Sequence, residues 1–97
     1  MGHRSFVIWI NEHRYITVKF STVQGDVVSF VVLLMACRSD GDRILSRFDT
    51  AHGIAHQDLL TPSGNLREKH WFPHENFDEA LNQAIHHFKT RHEDYPG

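Results

Sequence analysis

Val27-Val28-Ser29-Phe30-Val31-Val32-Leu33-Leu34-Met35-Ala36-Cys37, then Arg38-Ser39-Asp40-Gly41-Asp42, then Arg43-Ile44-Leu45-Ser46-Arg47-Phe48-Asp49: these three pieces decide the fold. The first is nearly all apolar and opens with β-branched valines. Periodicity alone also fits a buried helix segment, but the valines and flanking turns favour a central strand covered on both faces. It is too short to cross a membrane, since a spanning helix takes about 20 apolar residues. In the second piece Asp40-Gly41 accepts the positive φ angles of a tight turn, so a hairpin is expected. The third is the return strand, with Ile44 and Phe48 on one face and Leu45, Arg47 and Asp49 on the other.

Working outward toward the N-terminus, Arg14 to Val23 alternates. Ile16, Val18 and Phe20 point one way, and Thr17, Lys19 and Ser21 the other, as in a half-buried strand. Gln24-Gly25-Asp26 is a turn signal, and Phe6 to Ile10 is a short strand of β-forming residues. Toward the C-terminus, Thr50 to Asn65 carries Gly53, Pro62 and Gly64 and reads as loop, with a type I turn at Pro62-Ser63-Gly64. Leu66 to Phe72 reads as a further strand that Pro73 ends. Asn76 followed by Glu79 resembles a capping box, and Phe77, Leu81, Ala84, Ile85 and Phe88 form one stripe of a helix. Asp78 and Glu79 in its first turn and Lys89 and Arg91 near its end suit the helix dipole. The stripe needs a sheet to lie on. The expectation is one α+β domain over residues 1–97, an antiparallel β-meander of four or five strands with one C-terminal helix packed on a face.

A chain of 97 residues holds one core. At 40% hydrophobic and 23% charged residues it is an ordinary globular composition, which excludes a disordered tail, a collagen-like fibre and a disulfide scaffold. The formal net charge of −2 excludes a polycation built to coat nucleic acid. The single cysteine, Cys37, rules out an intramolecular disulfide and is expected as a small buried residue. The apolar run Phe6–Ile10 is too short for a signal-peptide core and no small-residue cleavage site follows it. The expected location is the cytoplasm, with no membrane partner and no cofactor.

Nine histidines are the oddity of the composition. Two clusters matter: Arg47-Phe48-Asp49-Thr50-Ala51-His52-Gly53-Ile54-Ala55-His56-Gln57-Asp58, where a strand meets a loop, and His70-Trp71-Phe72-Pro73-His74-Glu75. One reading is general acid–base chemistry on a phosphodiester without metal. Imidazole titrates near neutral pH, so His52 and His56 serve as base and acid, with His74 in reserve. Arg47 would stabilise phosphorane charge, Asp49 or Asp58 would orient a ring, and Trp71 or Phe72 would stack a base. A second reading is a metal site. His52-x-x-x-His56-x-Asp58 brings its ligands together if the loop forms a helical turn, and His70-x-x-x-His74 repeats the spacing. Gly53 after His52 excludes the metalloprotease pattern, which needs Glu there. The third reading is structural: Asp49 and Thr50 at a strand end satisfy loop backbone groups, and the histidines are packed rings. His86 and His87, adjacent on the helix, are expected to face solvent or the sheet edge, and His3, His13 and His92 to lie on the surface. Arg38, Arg43, Arg47, Arg67 and Lys69 are matched by Asp40, Asp42, Asp49, Asp58 and Glu68, so any basic patch must come from folding.

The segment Arg47-Phe48-Asp49-Thr50-Ala51-His52-Gly53, with His56 and Asp58 after it, resembles a family of small bacterial proteins with an Arg-aromatic-Asp-Thr-Ala-His-Gly…His-x-Asp core. More distantly it is similar to the TumE-like toxins of toxin–antitoxin operons, which place Arg-Tyr-Asp-Asn-Ala before histidines and a Phe-Pro-His segment downstream. Phe72-Pro73-His74 matches that second block. The resemblance implies an RNA-directed toxin with an antitoxin protein as partner. The alternative function is a non-catalytic interaction module or homodimer, in which an exposed edge strand such as Phe6–Ile10 pairs with another chain.

Overall fold

The computed structural model describes residues 2–50, 56–60, 66–71 and 76–95; for His56, Leu59 and residues 66–71 it describes the backbone alone. Among the described residues six strands run in chain order: β1 (Gly2–Trp9), β2 (Arg14–Val23), β3 (Asp26–Ala36), β4 (Arg43–Asp49), β5 (His56–Leu60) and β6 (Leu66–Trp71). A helix, α1 (Phe77–Arg91), follows, then a single 3-10 turn, His92–Asp94. Every strand pairs antiparallel with its chain neighbour, in the order β1-β2-β3-β4-β5-β6. The α+β meander with a C-terminal helix therefore stands. The addition is β5, which lies inside the stretch Thr50–Asn65 that reads as loop. The turn expected at Pro62-Ser63-Gly64 lies outside the described residues.

The turns are set locally. Between β2 and β3, Gln24 (φ 52°) and Gly25 (φ 84°) form a two-residue link with both central residues left-handed, the arrangement whose twist matches the strands it joins. Between β1 and β2, Asn11 Oδ1 accepts from the backbone N–H groups of His13 and Arg14, at 2.7 and 2.9 Å. The Asp40-Gly41 hairpin is present but longer than a tight turn. It occupies the residues between Ala36 and Arg43, and only Gly41 (φ 121°) has positive φ.

The core lies on one side of the sheet. Ile16, Val18, Phe30, Val32, Leu34 and Phe48 alternate toward α1, whose Ala80, Leu81, Ala84 and Phe88 are buried against them. Phe88 meets Phe48 at 4.9 Å between ring centroids. The helix begins where Asn76 Oδ1 accepts from the Glu79 N–H at 2.8 Å, a side-chain cap for one of the first turn's unpaired donors. Asp78 accepts from the Val27 N–H at 3.3 Å and ties that end to β3. At the far end, the Arg14 guanidinium donates to the carbonyls of His92 and Tyr95, satisfying acceptors a helix end leaves open.

The structure departs from the sequence pattern at β3 and at Cys37. The strand β3 is central, but among the described residues its helical cover lies on one face. Val31, Leu33 and Met35 on the other face are half-buried, because the single helix lies over the residues between them. Cys37 is likewise half-buried, one residue past the end of β3.

Candidate active site on the open face

The face opposite the helix collects the residues singled out from sequence. Strand β4 alternates, so Ser46 and Phe48 turn toward the helix side while Arg47 and Asp49 turn away from it. Register does the rest. Arg47 stands opposite Asp58, and Asp49 opposite His56; His56 in turn stands opposite Trp71. Four of the predicted residues and one predicted stacking residue thus occupy neighbouring positions on three strands. His52, Phe72 and His74 lie outside the described residues.

The centre of this group is an ion-pair cluster. Arg47 Nε and a terminal nitrogen both donate to Asp58 Oδ2, at 2.9 and 2.5 Å. Arg47 Nε also lies 3.3 Å from Asp49 Oδ2. The Asp58 side chain is 3% exposed and that of Asp49 12%, whereas Arg47 retains 36%. A buried carboxylate demands a close, hydrogen-bonded cation, and Arg47 supplies it. The guanidinium is therefore a structural partner first. Its charge is already shared between two carboxylates, and only its exposed part can address a ligand.

Thr50 follows the structural reading. Its hydroxyl accepts from the Phe30 N–H at 3.1 Å, and its own N–H donates to the Phe30 carbonyl at 3.3 Å. It extends the β3–β4 pairing by one residue. The helical turn that would gather His52, His56 and Asp58 as metal ligands is not formed at its second half, because His56–Leu60 is a strand. His56 and Asp58 instead sit two residues apart along β5.

A cleft of ≈ 530 Å³ crosses the lower ends of β1–β4 beside this cluster. Lys19, Val31 and Asp49, register partners in one cross-strand row, line it, as do His3, Ser21 and Ser29 in the next row. His3 Nδ1 lies 2.8 Å from Ser21 Oγ. Alternation alone puts Lys19 and Ser21 on the outward face of β2 without a role, and His3 on the surface. Their shared site arises from pairing across residues 18 apart in the chain, and no local motif signals it.

A second polar group lies under the helix, also unread from sequence. Gln57, opposite Phe48 in the register, donates to Ser46 Oγ at 3.0 Å and to Tyr95 Oη at 2.5 Å. Ser46 Oγ donates to the Asp58 carbonyl at 2.9 Å. His87 Nε2 lies 2.6 Å from Tyr95 Oη, and its ring packs edge-on against Phe48. His87 is thus half-buried at the helix–sheet contact, where burial, then Arg91, pushes its pKa down. Burial pushes the Tyr95 hydroxyl up. His86 is exposed, as the adjacent position predicts. At the other end of the sheet, Tyr15 donates to Asp42 at 2.5 Å, and this bond raises its pKa to about 12.

Fold and site together define a small α+β meander with a buried ion-pair cluster and a cleft on the face opposite the helix. The chain belongs to the family described as domain of unknown function DUF7718, whose family model matches residues 1–96. No curated protein and no solved structure matches it. Among the described residues no helix is long and apolar enough to cross a membrane.

Proposed function

We propose that this protein is a cytoplasmic, toxin-like component of a toxin–antitoxin pair that cleaves RNA by histidine acid–base chemistry without a metal. One observation supports the reading above the others: the register sets Asp49 opposite His56 and His56 opposite Trp71, beside the Arg47–Asp58 pair. A carboxylate, an imidazole and an indole on adjacent strands are the residue types such a site uses.

In this reaction one imidazole takes the proton of the RNA 2′-hydroxyl. The 2′-oxygen attacks phosphorus, and the bond from phosphorus to the 5′-oxygen breaks. The second imidazole gives its proton to that leaving oxygen, which yields a 2′,3′-cyclic phosphate and a 5′-hydroxyl end. His56 and His52 are the pair, with His74 as the reserve donor. Asp49 is the orienting carboxylate for His56, and Asp58 holds Arg47 where its exposed edge stabilises phosphorane charge. Trp71 and Phe72 stack the flanking base. The test is cleavage of end-labelled RNA by purified protein in excess chelator. Native protein should cut, and His56→Ala should lose about 100-fold or more, the scale of one acid–base group. Native protein that leaves RNA intact under these conditions rejects the proposal.

A second reading has its own support. Strand β1 is an edge of the sheet, pairs with β2 without a bulge, and leaves Phe6, Val7 and Trp9 42%, 50% and 61% exposed. Such an edge suits pairing with an antitoxin or a second copy. A solution mass twice 11.3 kDa that Val7→Pro returns to the single-chain value would favour it.

A further inference from the structure

We propose that the cleft across β1–β4 is the track for single-stranded RNA, with Lys19 and His3 meeting its phosphates; this rests on the ribonuclease reading of the neighbouring site. The cleft's ≈ 530 Å³ falls within the usual span of small-ligand sites, about 300–1,000 Å³. Its charge runs against that of the chain. Asp49 is the one carboxylate among the described lining residues and is ion-paired with Arg47 at 3.3 Å, whereas the lining also holds Lys19, which is exposed. Ser21 engages His3 Nδ1, so a phosphate would be met by Nε2 and by the hydroxyl of Ser29.

Direction comes from the register. Lys19 pairs with Val31, Val31 with Asp49, Asp49 with His56 and His56 with Trp71. Neighbouring strands lie about 4.8 Å apart, so Lys19 on β2 and His56 on β5 are separated by about 14 Å. A few nucleotides of an extended strand cover that distance. One end of the track then neutralises phosphate, and the other carries the position of the acid–base group and an aromatic residue for stacking. A duplex is too broad to follow one cross-strand row. A footprint this short also suits a chain of net charge −2, because few phosphates need neutralising.

The experiment is fluorescence anisotropy with a labelled 2′-O-methyl oligouridine, which lacks the nucleophilic hydroxyl and separates binding from cleavage. Native protein should bind it, more weakly as salt rises. Lys19→Glu should weaken binding about tenfold or more, and His3→Ala several-fold. Lys89→Glu, a charge reversal on the exposed side of α1, should leave it unchanged. Circular dichroism of each variant confirms the fold. Absence of binding by native protein, unaltered affinity in Lys19→Glu, or equal losses in Lys19→Glu and Lys89→Glu would each overturn the track. The parallel cleavage assay separates the two ideas. Unmodified RNA cut with the same KM by native and Lys19→Glu protein rejects the track and keeps the acid–base reading. Lys19-dependent binding without any cleavage keeps the track and rejects that reading.

Discussion

The two faces of the sheet are built from the same strands and hold opposite chemistry. The face under α1 is closed by Ile16, Val18, Val32, Leu34 and Phe88, each fully or almost fully buried. The open face keeps Val31 and Leu33 half-covered and sets Arg47, Asp49 and Asp58 among them. Apolar burial is tolerant of direction, so the apolar part of the covered face is decided by pattern. The open face buries carboxylates, which need a cation at a set distance, so it is decided by register. A one-residue slip between β4 and β5 would turn Asp58 toward the helix side and separate it from Arg47.

Substitutions on each side should break this contrast in different ways. The largest loss is expected from Phe88→Ala, which empties space between α1 and Phe48. It should cost about 3–5 kcal/mol in urea unfolding, as large-to-small changes in cores do. Asp58→Ala comes next, at about 2–3 kcal/mol, through loss of two charge-assisted bonds to Arg47. The sharper form of that test is the triple variant Arg47→Met, Asp58→Leu and Asp49→Asn, because Asp49 also pairs with Arg47. If the cluster serves only stability, the triple variant should recover most of the loss, since apolar replacements of whole buried ion clusters are often neutral. Recovered stability with RNA cleavage still absent would give the cluster a role beyond packing. Asn76→Ala should cost about 1 kcal/mol by removing the helix cap at Glu79.

The smallest effect is a pH dependence. His87 has a lowered pKa in the folded chain, chiefly from burial. Unfolded protein therefore binds more protons than folded protein once pH drops below the ordinary histidine value near 6.5. Its contribution is fully present above that value and is lost as pH falls toward the lowered folded pKa. The urea midpoint of native protein should decline over this window more steeply than that of His87→Gln.

The covered face was legible from sequence because its signals are local. The alternation of Ile16, Val18 and Phe20, the left-handed pair at Gln24-Gly25 and the stripe from Phe77 to Phe88 each lie within one element. Strand β5 was not legible. His56-Gln57-Asp58-Leu59-Leu60 has no β-branched residue and carries a charge at its centre, so propensity argues against it. It is a strand because β4 and β6 flank it and because Arg47 neutralises Asp58. The site was legible as a set of residues and not as an arrangement. The motif named Arg47, Asp49, His56 and Asp58, but their opposition across two strands follows from a register no spacing encodes. Lys19 and His3 gave no motif at all.

The order of elements also has a consequence for how the chain is made. The six described strands precede α1, and each after β1 pairs with the one just before it. Hairpins can therefore zip in sequence as synthesis proceeds, with little loop-closure entropy at each step. The apolar side of that sheet has no cover until residues 77–91 leave the ribosome. During synthesis this protein is a growing, one-sided hydrophobic surface whose lid arrives last, and the interval before it arrives is when a chaperone, or aggregation, has its opportunity.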